Sequence, residues 1–298
     1  MKIVEVGPRD GLQNECGRVS VEAKVDLIEA LVQAGVQNVE CGSFVSAKWV
    51  PQMAETRSVF AKLQRVDGVH YSALVPNLQG LEEAVLSGVE EVAVFASASE
   101  SFSRRNINCS IAESLARLRL VASEAKRRSV RVRGYVSCVL GCPYEGEVAV
   151  GAVEKVATEL VGMGCYEVSL GDTIGVGTPR KAQAMLRAVA QAIPVKQLAV
   201  HFHDTWGQAL ANILATIDEG IDVVDASVAG LGGCPYAAGA SGNVATEDVV
   251  YMLNGMGMET GIDLAKLAAA GRQIMSVLGR KTASKSATAL AVREERNA

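Results

Sequence analysis

The chain has 298 residues, 49% of them hydrophobic and 4% aromatic, and a formal net charge of −4 at pH 7. It contains no basic block and no aromatic residues interleaved with Lys or Arg, which argues against nucleic acid as a partner. No apolar run approaches the roughly 20 residues that are needed to span a bilayer. The first predicted strand begins at about Ile3, so we expect no signal peptide and a cytoplasmic location.

Cysteine usage agrees with a reducing compartment. The seven cysteines are Cys16, Cys41, Cys109, Cys138, Cys142, Cys165 and Cys234. An odd number in a long chain without an export signal predicts free thiols rather than a disulfide framework. Cys138 and Cys142 lack a second Cys or His pair at zinc-finger spacing, so we expect no structural zinc there.

Eight short runs rich in β-branched residues recur along the chain, with helical segments between them. The runs cover residues 3–6, 36–40, 69–75, 91–95, 130–136, 166–170, 198–201 and 223–227. A period near 3.6 at residues 21–33 and 111–127 indicates amphipathic helices between the strands. This alternation predicts parallel βαβ units. Eight such units predict a closed (β/α)8 TIM barrel, which typically takes about 250 residues.

The carboxyl-terminal part continues beyond the eighth strand. A Gly-rich loop at residues 230–243 is followed by a helix from about Thr246 and a further helix at residues 263–278. We therefore predict one domain, residues 1–280, that consists of the barrel and a C-terminal helical extension. The polar and charged stretch at residues 281–298 is predicted to be a mobile tail or a cap over the carboxyl ends of the strands.

Two of the three histidines, His201 and His203, stand at the end of the seventh predicted strand. Residues i and i+2 of a strand point to the same side, so both imidazoles can bind one ion. Asp10 follows the first strand, which neighbours the eighth in a closed barrel. With an amide oxygen such as that of Asn243, these groups suit Mg²⁺ or Mn²⁺ with open positions for substrate, although the ligand types also permit zinc.

Other polar residues stand at the predicted strand ends, where TIM barrels carry their active sites. Arg9 is expected to pair with Glu40 or Asp172 and to stabilise a developing oxyanion or enolate. Cys234 lies in the Gly-rich loop and is a candidate acid or base. His70 stands at the start of the third strand, on the opposite face of the barrel, and is expected to be structural.

Four segments closely resemble the 3-hydroxy-3-methylglutaryl-CoA lyase family. They are residues 7–15 (GPRDGLQNE), 43–53 (SFVSAKWVPQM), 201–205 (HFHDT) and 232–243 (GGCPYAAGASGN). The likeness runs from about Ile3 to Leu278. A wider superfamily of acyl-CoA condensing synthases shares the Arg-Asp-Gly opening and the His-x-His pair, so the loop with Cys234 and the segment with Trp49 are what favour the lyase.

The resemblance implies a function and a set of site residues. The implied reaction is the metal-dependent retro-Claisen cleavage of 3-hydroxy-3-methylglutaryl-CoA to acetyl-CoA and acetoacetate, with leucine breakdown as the pathway. The implied metal ligands are Asp10, His201, His203 and Asn243. The implied catalytic residues are Arg9, Cys234, Asp172, His201 and Glu40. The implied substrate-binding residues are Arg9, Gln13, Ser43 and Ser169. A homodimer is expected because such barrels are usually dimers.

The residues agree with this chemistry but leave some roles open. Either Asp172 or His201 could remove the proton of the tertiary alcohol. A synthase that runs the reaction toward bond formation is the alternative enzyme, although such enzymes usually carry an auxiliary domain for which we expect no room here. A Schiff-base aldolase is disfavoured because no Lys ends the sixth strand. A barrel that only binds metal or acyl-CoA would need neither Arg9 nor Cys234.

Overall fold

The computed structural model describes residues 1–15, 17–233 and 242–297. Eight parallel strands form a closed barrel in chain order. The strands are β1 (Lys2–Glu5), β2 (Asn38–Ser43), β3 (His70–Leu74), β4 (Glu91–Ser97), β5 (Arg131–Ser137), β6 (Glu167–Asp172), β7 (Leu198–Phe202) and β8 (Val223–Ala226). β1 pairs with β8 from Lys2 beside Val223 to Glu5 beside Ala226, which closes the barrel. The predicted barrel and all eight strands are confirmed, with ends shifted by a few residues.

Helices cover the outside of the barrel, and the predicted helices at residues 21–33 and 111–127 are confirmed. In the described part of the chain they are α1 (Val21–Gln33), α2 (Thr56–Lys62), α3 (Leu78–Leu86), α4 (Glu100–Ile107), α5 (Ile111–Arg127), α6 (Val150–Gly162), α7 (Pro179–Val189), α8 (Ala209–Ile217), α9 (Thr246–Gly255), α10 (Leu264–Leu278) and α11 (Lys285–Asn297). Ser20 caps α1 by accepting a hydrogen bond from the amide of Ala23, which satisfies one free amide of the first turn. No helix in the described ranges is both long and apolar enough to cross a membrane.

The stretch at residues 281–298, which was predicted to be a mobile tail or a cap, contains helix α11. Asp248 accepts hydrogen bonds from the Ser284 hydroxyl at 2.9 Å and from the Ser286 amide at 2.7 Å, so the start of the helix is fixed to α9. The amide of Ala283 donates to the carbonyl of Ala229, just beyond β8. Local sequence patterns do not predict this attachment, because the contacts join the segment to residues far away in the chain.

The barrel has an apolar outer layer and a partly charged interior. Outward-facing strand residues such as Val200 and Val224 pack against the helices in one continuous hydrophobic core. Alternate residues face inward, and on β5, β6 and β8 these include the buried charged residues Arg133, Glu167 and Asp225. Since buried charges need partners, this inward face predicts a network of ion pairs below the carboxyl ends of the strands.

Candidate active site

Arg9 and Asp10 lie in a short π-helical turn, Gly7–Gly11, directly after β1. The carbonyl of Val6 accepts hydrogen bonds from the amides of Arg9, Asp10 and Gly11, at 3.1, 2.7 and 3.2 Å. These three bonds to one carbonyl hold the turn closed over the end of the strand. The turn therefore presents both side chains at the carboxyl end of the barrel.

The structure brings together three of the four residues that the sequence predicts to be metal ligands. Asp10, His201 and His203 each offer one ligand atom, and these atoms lie within 4.8 Å of one another. The His201 Nε2 atom lies 3.8 Å from the Asp10 Oδ2 atom, and the two imidazole rings lie 5.5 Å apart. One carboxylate and two imidazoles at this spacing form a mixed oxygen and nitrogen donor set for a divalent cation.

Charges in this cluster favour the ligating form of two of the three groups. Burial opposes ionisation of Asp10, but the Arg9 guanidinium and the two imidazoles outweigh burial and hold the pKa of Asp10 below its usual range. Burial and the neighbouring His201 lower the pKa of His203 to about 4. Asp10 is therefore an anion and His203 a neutral imidazole near neutral pH, as metal binding requires.

Asn243 contacts this cluster through its amide nitrogen. The Nδ2 atom donates to the Asp10 Oδ2 atom at 2.8 Å and to the carbonyl of Leu231 at 3.2 Å. A backbone bridge also pairs Asn243 with His203. The residue thus lies where the sequence predicted a fourth ligand. A metal would bind the amide oxygen, so the ligand role of Asn243 stays a prediction.

Arg9 pairs with Glu40, which decides between its two expected partners. Its Nε atom donates to the Glu40 Oε2 atom at 2.5 Å, and its Nη1 atom donates to the Asp10 Oδ1 atom at 2.5 Å. Its guanidinium also lies over the ring of Tyr135, 5.6 Å from the centroid. Burial raises the pKa of Glu40, and the charge of Arg9 opposes that rise. Arg9 is therefore held on three sides at the rim of the barrel.

Asp172 ends β6 but does not join this cluster. Its Oδ2 atom accepts a hydrogen bond from the amide of Gly177 at 2.7 Å, in the loop after the strand. A side chain on Gly177 would meet Asp172 and Asn212 of α8, which places this carboxylate on the helix side of the strand. Burial raises the pKa of Asp172 to about 6, although loop amides oppose the rise. Among the described residues, Gly171 and Thr173 line the central cavity and Asp172 does not.

The three predicted substrate-binding side chains beside Arg9 have different surroundings. Gln13 lines the cavity. Ser169 donates its hydroxyl to the Asp225 Oδ2 atom at 2.7 Å, inside the barrel. Ser43 is buried at the end of β2, and its hydroxyl has no hydrogen-bond partner in the described part of the chain. Only Gln13 therefore faces the described cavity, and substrate contact by the two serines stays a prediction.

Cys234 lies outside the described residues, as does Cys16, so the proposed role of Cys234 rests on the sequence alone. The other five cysteines are buried free thiols, as expected. The Cys142 sulfur accepts a hydrogen bond from the Ser99 hydroxyl, and Cys138 shows no grouping with His or acidic residues of the kind that would hold a metal in the described ranges. His70 begins β3 and is exposed, away from the ligand cluster.

A cavity of about 790 Å³ opens above the ligand cluster. Its floor holds Arg9, Asp10, His201 and His203. Its walls include the apolar side chains of Val45, Val50, Leu74, Phe95, Phe102 and Leu118, and its outer part carries Arg105 and Arg117. A cavity that combines these apolar side chains with two exposed arginines and the polar ligand cluster suits an anionic ligand with an apolar part.

The strand-end pattern did not predict two charged residues inside the barrel: Asp225, which lies next to His201, and Arg133, which contacts Asp225. Asp225 on β8 lies 3.3 Å from the His201 Nδ1 atom, and Arg133 on β5 donates to both oxygens of Asp225. Arg133 and Asp225 occupy inward positions of strands that otherwise read as apolar. A charged residue in a buried strand could have indicated this pair, because burying a charge without a partner is costly.

Comparison with known proteins gives the family. A family model described as HMGL-like matches residues 1–274. The chain is 60% identical over 290 residues to "Hydroxymethylglutaryl-CoA lyase, mitochondrial" of Arabidopsis thaliana, a match that covers 97% of this chain and 62% of that protein. It is 59% identical over 290 residues to "3-hydroxy-3-isohexenylglutaryl-CoA/hydroxy-methylglutaryl-CoA lyase" of Pseudomonas aeruginosa, covering 97% of each.

A solved structure agrees with both sequence matches. The crystal structure of hydroxymethylglutaryl-CoA lyase from Pseudomonas aeruginosa matches with a TM-score of 0.97 and 58% identity, covering 98% of this chain and 97% of that one. Because the Arabidopsis relative is named mitochondrial, a cytoplasmic location stays a prediction for this chain. The fold, the ligand cluster and the match over residues 1–274 lead to one conclusion: the chain belongs to the HMGL-like family.

Proposed function

We propose that the chain is a hydroxymethylglutaryl-CoA lyase, which cleaves 3-hydroxy-3-methylglutaryl-CoA to acetyl-CoA and acetoacetate. The observation that carries this proposal is the cluster of Asp10, His201 and His203 beside Arg9 on the floor of one cavity. Relatives with this activity in their names are 59–60% identical over 290 residues. The proposal therefore rests on the residues at the base of the cavity and on the similarity to these relatives.

We propose further that Asp10, His201, His203 and the amide oxygen of Asn243 bind Mg²⁺ or Mn²⁺. The donor set fits: it contains oxygen and imidazole nitrogen and no thiolate among the described residues. A divalent cation at such ligands polarises an oxygen atom and lowers the pKa of a hydroxyl group.

The reaction requires one proton transfer at each end of a broken carbon–carbon bond. A base removes the proton of the tertiary alcohol, the bond between C2 and C3 breaks, and its electron pair becomes the enolate of the acetyl thioester. The new carbonyl belongs to acetoacetate. An acid then donates a proton to the enolate carbon to give acetyl-CoA, and Cys234 is the proposed acid.

Arg9 is proposed to stabilise the enolate oxygen. It is buried and fixed by Glu40 and Asp10, so its orientation is set before substrate binds. A preorganised cation aimed at developing negative charge lowers the barrier more than a mobile one does. Asp172 and His201 both remain candidates for the base: the Nε2 lone pair of His201 is proposed to bind the metal, and the Asp172 carboxylate bonds to Gly177.

The cavity supports an acyl-CoA as the substrate class. Apolar walls can pack against the pantetheine chain, and Arg105 and Arg117 at the outer part can pair with phosphate groups. The Pseudomonas relative is also named for a substrate with a longer, unsaturated group at C3. The same apolar walls favour testing 3-hydroxy-3-isohexenylglutaryl-CoA as a second candidate substrate.

The direct test is acetoacetate formation from 3-hydroxy-3-methylglutaryl-CoA before and after chelation, with Mg²⁺ or Mn²⁺ added back. We expect activity that disappears with the chelator and returns with metal. In His203→Ala, added metal should not restore activity. In the matched variant His70→Ala it should, because His70 is exposed at the other end of the barrel. Absence of acetoacetate under every metal would refute the substrate assignment.

A second assay separates the lyase from the synthase alternative. Acetyl-CoA is mixed with a 2-oxo acid, and release of free coenzyme A is measured. The lyase assignment predicts no release beyond that of the chelated control. Steady release in this assay, with no acetoacetate formed in the first, would favour a condensing synthase on the same barrel.

A further inference from the structure

Below the ligand cluster, Asp225 of β8 occupies the interior of the barrel with four donors around it. Its Oδ2 atom lies 3.3 Å from His201 Nδ1, 3.1 Å from Arg133 Nη1 and 2.7 Å from Ser169 Oγ. Its Oδ1 atom accepts from Arg133 Nη2 at 2.7 Å. Asp225 is buried, with 1% of its surface exposed, so its carboxylate is held by these protein donors and shielded from solvent. Its carboxylate is therefore held in one orientation.

The two nitrogens of His201 face different partners. Nδ1 faces Asp225, and Nε2 lies 3.8 Å from Asp10, on the side of the ligand cluster. A carboxylate accepts hydrogen bonds only, so the imidazole must carry its proton on Nδ1 toward Asp225. That tautomer leaves the Nε2 lone pair directed at the ligand cluster. Histidines that bind metals usually donate their other N–H in this way.

We propose that Asp225 is a positioning residue, which holds His201 in the Nδ1–H tautomer and the ring orientation that metal binding requires. Arg133 acts behind it: it forms two hydrogen bonds to Asp225 and one to Glu167 at 2.7 Å. The inference rests on the proposed metal centre. It adds a residue that touches neither the metal nor the substrate.

A purely structural role is the competing explanation, because Asp225 also neutralises the buried Arg133. Glu167 allows the two roles to be separated. It pairs with the same guanidinium and with Lys2, yet it has no contact with His201. A change at Glu167 should disturb the ion pairs of Arg133 without altering the tautomer of His201.

The experiment compares Asp225→Asn with Glu167→Gln and the wild type. Both oxygens of Asp225 accept hydrogen bonds, so an amide at this position must turn its NH₂ group toward a donor. The first readout is long-range ¹H–¹⁵N correlation of the metal-free protein at alkaline pH, which can resolve the ring tautomers of only three histidines. We expect the Nδ1–H tautomer of His201 in the wild type and in Glu167→Gln, and its loss in Asp225→Asn.

The second readout is the dissociation constant for Mn²⁺, measured by electron paramagnetic resonance with no substrate present. We expect Asp225→Asn to bind Mn²⁺ about 10–100-fold more weakly, the usual effect of losing such a partner. Glu167→Gln should remain within about 3-fold of the wild type. Equal affinity of Asp225→Asn and the wild type, or equal losses in both variants, would overturn the positioning role.

Two outcomes need their own controls. Asp225→Asn could fail to fold because Arg133 loses its partner. In that case Arg133→Gln is compared with the double variant Arg133→Gln/Asp225→Asn. We expect the double variant to bind Mn²⁺ about 10–100-fold more weakly than Arg133→Gln. If the wild type takes up no Mn²⁺, the metal centre itself is refuted and this role with it. If the wild type binds Mn²⁺ and Asp225→Asn binds it with the same affinity, only the positioning role is refuted.

Discussion

The Nε atom of Arg9 donates a hydrogen bond to the Oε2 atom of Glu40 at 2.5 Å, between the turn after β1 and the middle of β2. Both residues are buried, at 6% and 0% exposure. The register of β2 against β3 shifts between Glu40 and Gly42, a bulge of the kind that redirects side chains near active sites. The pair therefore fixes the direction in which the guanidinium of Arg9 faces the cavity floor.

Glu40→Gln should lower kcat and leave KM nearly unchanged. The amide keeps an acceptor for Arg9 but removes the negative charge, so the attraction between two opposite charges is lost and the hydrogen bond is weakened. We expect a fall in kcat of about 10–100-fold, because Arg9 would be aimed less well at the developing enolate. Steady-state acetoacetate kinetics measure both constants. Glu82→Gln, an exposed change on α3, should keep the wild-type values.

Arg9→Met and Arg9→Lys should differ in activity. Loss of one donor to a developing oxyanion typically costs about 10²–10³-fold in kcat, which is the expectation for Arg9→Met. Lys keeps the charge but cannot contact Glu40 and Asp10 together with one planar group, so an intermediate rate is expected. Rates are compared at saturating Mn²⁺, because Arg9 also lowers the pKa of Asp10. Wild-type rates in both variants would remove Arg9 from the chemistry.

Gly11→Ala should destabilise the protein and reduce activity together. A Cβ atom on Gly11 would lie 2.7 Å from Leu231 Cβ and 2.7 Å from Ser227 Oγ, closer than packed atoms allow. The turn that carries Asp10 would have to move away from the loop after β8, at a cost of about 1–3 kcal/mol. Urea denaturation and acetoacetate formation test the two effects.

Gly151→Ala is the matched control for that change. Gly151 lies in α6, and a Cβ atom there would meet nothing within 4 Å. Ala in a helix is more favourable than Gly by about 0.8–1 kcal/mol, so this variant should be slightly more stable and fully active. If Gly11→Ala behaved in the same way, the close contact between the two loops would play no part in holding Asp10.

Glu247 predicts a specific pH dependence of stability. It is buried, accepts hydrogen bonds from the amide of Ala229, and lies near Glu5. Burial raises its pKa from 4.5 to about 8. The unfolded chain releases this proton above its ordinary pKa, whereas the folded protein keeps it. The stabilising contribution is therefore full below pH 4.5 and is lost as the pH rises to about 8.

Glu247→Gln should remove that dependence. Between pH 5 and 8.5 the free energy of unfolding should fall more for the wild type than for Glu247→Gln, by no more than about 5 kcal/mol. Urea denaturation at several pH values gives the two curves. Glu82→Gln serves again as the exposed control, and it should follow the wild type. Parallel curves for the wild type and Glu247→Gln would show that Glu247 ionises normally in the fold.

Periodicity and strand-end positions were enough to predict the barrel, the convergence of Asp10, His201 and His203, and two candidate partners for Arg9, of which the structure shows Glu40. These follow from local rules: buried runs form strands, and parallel strands bring their carboxyl ends together. Asp172 shows where such reasoning fails. It ends β6, but Gly171 holds the inward position, and a shift of one residue moves a side chain to the other face of the strand.

Asp225 and α11 could not be predicted for a different reason. The partners of Asp225 come from β5, β6 and β7, and the contacts of α11 come from α9 and α10. Pairings between residues so far apart in the chain depend on the register of the closed barrel. Until the register is known, the sequence indicates only that a buried charge needs a partner. It does not indicate which residue that partner is.

The most direct measurement is a titration of Mn²⁺ into the chelated protein, with bound metal and acetoacetate formation followed in the same samples. The account predicts that both rise together and saturate at one ion per chain. His203→Ala should show neither, and His70→Ala should match the wild type. Full acetoacetate formation before any metal binds, or a His203→Ala variant that binds and turns over normally, would contradict a metal-dependent lyase built on Asp10, His201 and His203.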